Sequence, residues 1–152
     1  MKRILIAGAL SLMCVAGAAG AQQETSPSAA EIVAARQASF ALSTAALGTI
    51  KTVLDSGRPI DGLAFTAGGL NRWATALPTM FPAGTGPDAI PSTKAKPEVW
   101  SDRAGFEAKA ADYQAATARL RDAVAAGDTA AANEAWLATR ATCGSCHDAY
   151  RS

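Results

Sequence analysis

The sequence has 152 residues, with 14 Lys and Arg against 13 Asp and Glu, and three cysteines. That length suits one domain with a real core. There is no basic excess to neutralise phosphates, which argues against a nucleic-acid partner.

Lys2 and Arg3 precede an apolar run over residues 4–17, and Ala19-Gly20-Ala21 supplies the small-x-small pattern that a signal peptidase reads. Residues 1–21 are therefore expected to be a cleaved export signal, with Gln22 the first mature residue. The run is short for a bilayer and no stop-transfer pattern follows, so no membrane anchor is expected. Met13, directly before Cys14, argues against lipid attachment. The signal holds two cations and no acid, so residues 22–152 carry a formal charge of −1. Cys14 leaves with it, and only Cys143 and Cys146 remain.

The mature chain is rich in alanine, which favours helices. Four segments repeat apolar residues every seven positions, the spacing of an antiparallel bundle seam. The first, residues 29–55, lines up Val33, Phe40, Leu47 and Leu54. Ser28 and Glu31 form a capping box at its start, and Ser56-Gly57 followed by Pro59 ends it. The second, residues 62–77, lines up Leu63, Leu70 and Leu77, with Asp61 as its expected N-cap. Gly68 and Gly69 weaken it.

Residues 78–100 hold five of the seven prolines and two glycines, and read as a long crossover within one domain. The third segment, residues 103–126, lines up Phe106, Tyr113 and Leu120. Ser101 or Asp102 can cap it, and Gly127 lies just past its end. The fourth, residues 129–151, lines up Trp136, Cys143 and Tyr150 behind Asp128. Short turns join the first pair and the last pair, so each pair should run antiparallel. The expected fold is an all-α, antiparallel four-helix bundle.

Cys143-Gly144-Ser145-Cys146-His147 is C-x-x-C-H, the attachment pattern of a c-type haem. On a helix, residues i, i+3 and i+4 share one face. Two thiols can then add to the two vinyl groups on one edge of the porphyrin, and the imidazole reaches the iron from the same side. A thioredoxin-type dithiol fits less well, because such a site opens a helix in a βαβ setting. A zinc site would be short of ligands with two Cys and one His. His147 is the only histidine in the chain. One covalent haem c is expected near the C-terminus of the last helix, and export agrees with it.

Three stretches together resemble the cytochrome c′ family. They are Ala35-Arg36-Gln37-Ala38-Ser39-Phe40, Lys94-Ala95-Lys96-Pro97-Glu98-Val99-Trp100-Ser101-Asp102, and the C-terminal run from Cys143 to Arg151. The resemblance covers nearly all of residues 31–151 and implies an up-down-up-down bundle. It implies that His147 is the single protein ligand of the iron, and that Arg36 and Gln37 approach the haem propionates. Read from the residues alone, Arg36 and Gln37 would be a solvated charged face. The resemblance also places Arg151 beside the imidazole, where the bland alternative is a frayed C-terminal residue, and brings Lys94 towards the haem edge.

Phe40 matches the position facing the open side of the iron, where six-coordinate relatives resembling cytochrome c-556 carry a methionine. Phenylalanine has no lone pair to offer, so the iron is expected to be five-coordinate under an apolar lid. The one mature methionine, Met80, reads as a gap-filling side chain. Such a lid offers no donor to hold polar O₂ and admits small neutral ligands such as NO or CO. The resemblance implies gas binding and electron transfer, an unidentified periplasmic redox partner, and a homodimer through the first two helices. The faces of Ala34, Ala38, Ala41 and Ala45 fit dimer contact or internal packing equally. No second acid or base marks the pocket, and the missing distal histidine argues against a peroxidase. The other class is a six-coordinate, low-spin electron-transfer protein of the c-556 type.

Overall fold

A computed structural model describes residues 26–152, so the expected export signal lies outside the described residues. The first helix, α1 (Ala29–Ser56), starts at the expected capping box: Ser28 N–H donates to Glu31 Oε2 at 2.7 Å, and Glu31 N–H donates to Ser28 Oγ at 3.3 Å. It stops at Gly57, whose φ of 67° is the left-handed turn that glycine takes without steric cost.

The second helix, α2 (Ala64–Ala76), departs from expectation at its start. Asp61 makes no capping bond. The chain enters through a 3-10 turn, Asp61–Leu63, in which Leu63 N–H donates to Ile60 C=O at 2.9 Å. The turn already supplies helical geometry and an early carbonyl acceptor, which leaves a side-chain cap little to do. Gly68 and Gly69 do not interrupt α2, and a second 3-10 turn, Leu77–Met80, follows it.

The crossover ends in the single turn α3 (Glu98–Ser101), and α4 (Arg103–Ala125) begins at Asp102, whose carboxylate accepts from Gly105 N–H at 3.2 Å. Gly127 turns the chain, and Asp128 caps α5 (Thr129–Tyr150) by accepting from Ala131 N–H at 2.9 Å. The four long helices form the expected four-helix bundle. α4 packs against α2 and α5, and α1 packs against the same two. Most of the heptad residues fill the interior: Val33, Leu47, Leu54, Leu63, Leu70, Leu77, Phe106, Tyr113, Leu120 and Tyr150 are buried. Phe40, Trp136 and Cys143 pack half-buried against that core. Among the described residues, no helix is long and apolar enough to cross a membrane.

Candidate haem-binding site

The last two turns of α5 carry Cys143, Cys146 and His147 on one face. Both thiols are free and half-buried, and both pack against the buried apolar core, as Phe40, Trp73 and Met80 also do. Burial pushes both thiol pKa values up, against smaller opposing effects of Arg140 on Cys143 and Lys109 on Cys146. A dithiol exchange site needs the opposite shift. His147 is exposed at the rim; partial desolvation and then Arg151 hold its pKa below the ordinary value.

Arg151 is not frayed. Its N–H donates to His147 C=O at 3.0 Å, and it forms an antiparallel bridge with Ala95. Lys96 N–H donates to Tyr150 C=O, and Ser152 N–H to Lys94 C=O, each at 2.9 Å. The crossover thus clamps the chain directly after the motif. Lys94 contributes this backbone contact, while its side chain is exposed.

A second tie lies beside the clamp. Tyr150 Oη donates to Asp102 Oδ2 at 2.7 Å, so the N-cap of α4 also holds the end of α5. That bond, followed by burial and the carboxylate charge, raises the Tyr150 pKa to about 12. Gly105 makes room for it: a Cβ there would fall within van der Waals contact of both the Asp102 carboxylate and the Tyr150 hydroxyl.

On α1, Arg36 overturns the solvated-face alternative. It is 2% exposed. Its Nη1 donates to Thr85 Oγ1 at 2.9 Å and to Met80 C=O at 3.4 Å; its Nη2 donates to Thr85 C=O at 2.8 Å and Thr93 Oγ1 at 2.6 Å. The guanidinium carbon also sits 4.4 Å from the Phe81 ring centroid. Every acceptor is neutral, and burial pulls the Arg36 pKa down. Gln37 is exposed, with one long contact to Ser92 C=O at 3.5 Å.

Phe40, one turn after Arg36, meets Trp73 edge to face at 5.4 Å and Phe81 at 6.4 Å. Phe81 meets Phe106 at 4.9 Å, and Phe106 meets Tyr150 at 5.5 Å. This aromatic series joins the expected lid to the helix that carries the motif. The structure therefore brings Arg36, Phe40 and Met80 together on one flank of the core that receives the two thiols. It leaves Gln37, Lys94 and His147 at the surface.

The expectation of a lid without hydrogen-bond donors meets one exception. Trp73 Nε1 is buried beside Phe40 and has no acceptor. Sequence reasoning missed Trp73, Thr85, Thr93, Asp102 and Gly105 as parts of this region. Asp102 was legible only as a cap, and the threonines carry no periodic signal inside a proline-rich loop.

These residues fit a haem. The two free thiols and the imidazole have the attachment spacing, they border an aromatic core, and a buried cation with neutral partners lies near. Residues 31–151 match the sequence profile of the family described as Cytochrome C′. The chain belongs to the cytochrome c′ family. It is 36% identical over 118 residues to a cytochrome c′ of Rubrivivax gelatinosus, covering 76% of this chain and 90% of that one. It also superposes on two solved forms of the cytochrome c′ of Alcaligenes xylosoxidans. A ferrous variant with bound NO gives a TM-score of 0.74 at 26% identity, covering 84% of this chain and 98% of the other. A carbon monoxide-bound variant gives 0.73 at 28%, covering 82% and 97%. Membership in the cytochrome c′ family makes this a haem-binding, four-helix-bundle protein.

Proposed function

We propose that the chain is an exported, periplasmic c-type cytochrome that binds NO and CO at one covalently held, five-coordinate haem and passes single electrons to a periplasmic redox partner. The observation that carries this reading is the placement of both free thiols against the same apolar cluster as Phe40. When bound, haem c supplies an iron that takes a diatomic ligand and changes oxidation state.

The chain's own residues do the rest. Cys143 and Cys146 hold the porphyrin edge by thioethers, and His147 supplies the one protein ligand to the iron. Phe40 covers the opposite side and admits only small ligands that can push its ring aside. Arg36 and Gln37 face the propionate end. A buried guanidinium with only neutral partners is stabilised by a carboxylate at its edge. Arg151 stands beside the imidazole, and Lys94 lies towards the haem edge. No acid–base pair serves the pocket, which favours binding and electron transfer over catalytic turnover.

A homodimer through α1 and α2 is part of the same proposal. Ala34, Ala38, Ala41 and Ala45 all face outward, so they are free for contact with a second copy. Leu42 and Phe65 lie 70% and 84% exposed on the same two helices. A large exposed apolar surface is a common mark of association.

The visible spectrum of the ferrous, haem-loaded protein before and after CO tests the reading. A broad high-spin spectrum that changes with CO is expected. A sharp low-spin spectrum indifferent to CO would mean a sixth ligand, with Met80 the candidate, and electron transfer of the c-556 type alone.

A further inference from the structure

The three tryptophans are treated differently. Trp100 Nε1 donates to Pro82 C=O at 3.0 Å, and Trp136 Nε1 donates to Leu47 C=O at 2.9 Å. Trp73 Nε1 is the one buried side-chain nitrogen or oxygen among the described residues without a partner. Buried polar groups are almost always paired, so each exception calls for a cause. An indole N–H can only donate, so the missing partner is an acceptor.

Neighbouring polar groups on α2 and α4 are already engaged. Asn71 Nδ2 donates to Thr117 Oγ1, and its Oδ1 accepts from Arg121. Thr75 Oγ1 donates to Asn71 C=O and accepts from Gln114. A haem brings two kinds of acceptor, its propionate carboxylates and the outer atom of a ligand on the iron.

The lid chooses between them. Phe40 packs against both Trp73 and Phe81, and Arg36 lies over Phe81. The cation that suits a carboxylate is therefore on the Phe81 flank. Trp73 packs against the lid residue itself, with its ring perpendicular to the side chain that must yield when a ligand enters.

We propose that the Trp73 indole N–H donates a hydrogen bond to the outer atom of a diatomic ligand bound beneath Phe40. This rests on the gas-binding reading above and deepens it. Trp73 becomes a specificity residue, favouring ligands whose outer atom carries more negative charge. NO gains more than CO. Phe40 sets the size limit, and Trp73 adds a polar preference that the lid alone would lack.

The test compares haem-loaded wild type with Trp73→Phe, which keeps a ring against Phe40 and removes the N–H. In the ferrous CO complex the C–O stretch should move to higher frequency in the variant. Dissociation of NO should be about fivefold faster, the size of one ordinary hydrogen bond, and CO should change less. In wild type, exchange into D₂O should shift the ligand stretch, and Trp73→Phe should abolish that shift. CO binding with identical stretch and rates in both proteins would overturn the Trp73 assignment and leave gas binding intact. A change confined to the midpoint potential would place the N–H on a propionate and also overturn it. Wild type that fails to bind CO would overturn the gas-binding reading itself, and this inference with it. Should the variant not fold, the absence of a D₂O shift in wild type is sufficient to reject the proposal.

Discussion

The last turns of α5 and the crossover between α2 and α4 hold the two parts of the proposed haem site by different means. On α5, three chemical groups lie within five consecutive residues, and helix geometry alone puts them on one face. In the crossover, Arg36 reaches residues 44 to 57 positions away in sequence and closes four hydrogen bonds on neutral oxygens. The first arrangement exists wherever the helix exists. The second exists only when the whole bundle has closed. Attachment chemistry should therefore depend on single side chains, and the lid side should depend on cooperative folding.

The sharpest break in that comparison is on α5. Replacing both Cys143 and Cys146 with Ala should leave no haem on the chain after denaturation, detectable by haem staining of a denaturing gel. Haem that stays attached would mean the thioethers lie elsewhere.

Next in size is Arg36→Met, which removes the donor to Thr85 C=O and Thr85 Oγ1 and leaves Thr93 Oγ1 with Ala95 N–H alone. The expected loss is about 3 kcal/mol of stability, read as a lower denaturant midpoint with an unchanged slope. Arg36→Lys should recover little, because one ammonium cannot reproduce a planar fork that reaches two threonines at once. Full recovery by lysine would mean that charge alone holds the crossover.

The same contrast explains which features the sequence made legible. Helix extents, the Ser28–Glu31 box, the Asp102 and Asp128 caps and the C-x-x-C-H face are short-range patterns, and they stand as expected. Asp61 was misread because a cap signal does not tell a helix start from a 3-10 entry with its own carbonyl acceptors. The partners of Arg36 were invisible because Thr85 and Thr93 sit in an aperiodic loop whose path is fixed by the fold. Tyr150 was legible as a core position, but its bond to Asp102 joins residues 48 apart. The unpartnered Trp73 nitrogen could be found only by accounting for its neighbours' bonds.

A smaller effect is expected at Gly105. Alanine there gains helix propensity, worth up to about 1 kcal/mol. It also drives the Asp102 carboxylate and the Tyr150 hydroxyl apart, losing a cap and a hydrogen bond worth about 1 kcal/mol each. The net expectation is a destabilisation of about 1 kcal/mol by thermal or denaturant unfolding. A stabilised Gly105→Ala protein would show that the tie between α4 and α5 contributes nothing.

The smallest effect, and the one that isolates that tie, is the pH response of Tyr150→Phe. The hydrogen bond to Asp102, then burial and the carboxylate charge, raise the phenol from 10.0 to about 12. The folded chain therefore keeps the proton where the unfolded chain has lost it. The stabilisation is fully present below pH 10 and drains away as pH rises towards about 12. Tyr113 is also raised to about 12, chiefly by burial, and loses stability over the same window with the same sign. It is unchanged in the variant, so the difference between the two proteins reports Tyr150 alone. Wild type should be the more stable at neutral pH, and the gap should close between pH 10 and 12. A constant gap across that window would mean that the Tyr150 hydroxyl does not hold its proton for Asp102, and that the backbone clamp of Lys94, Ala95 and Lys96, rather than this tie, fastens the end of α5.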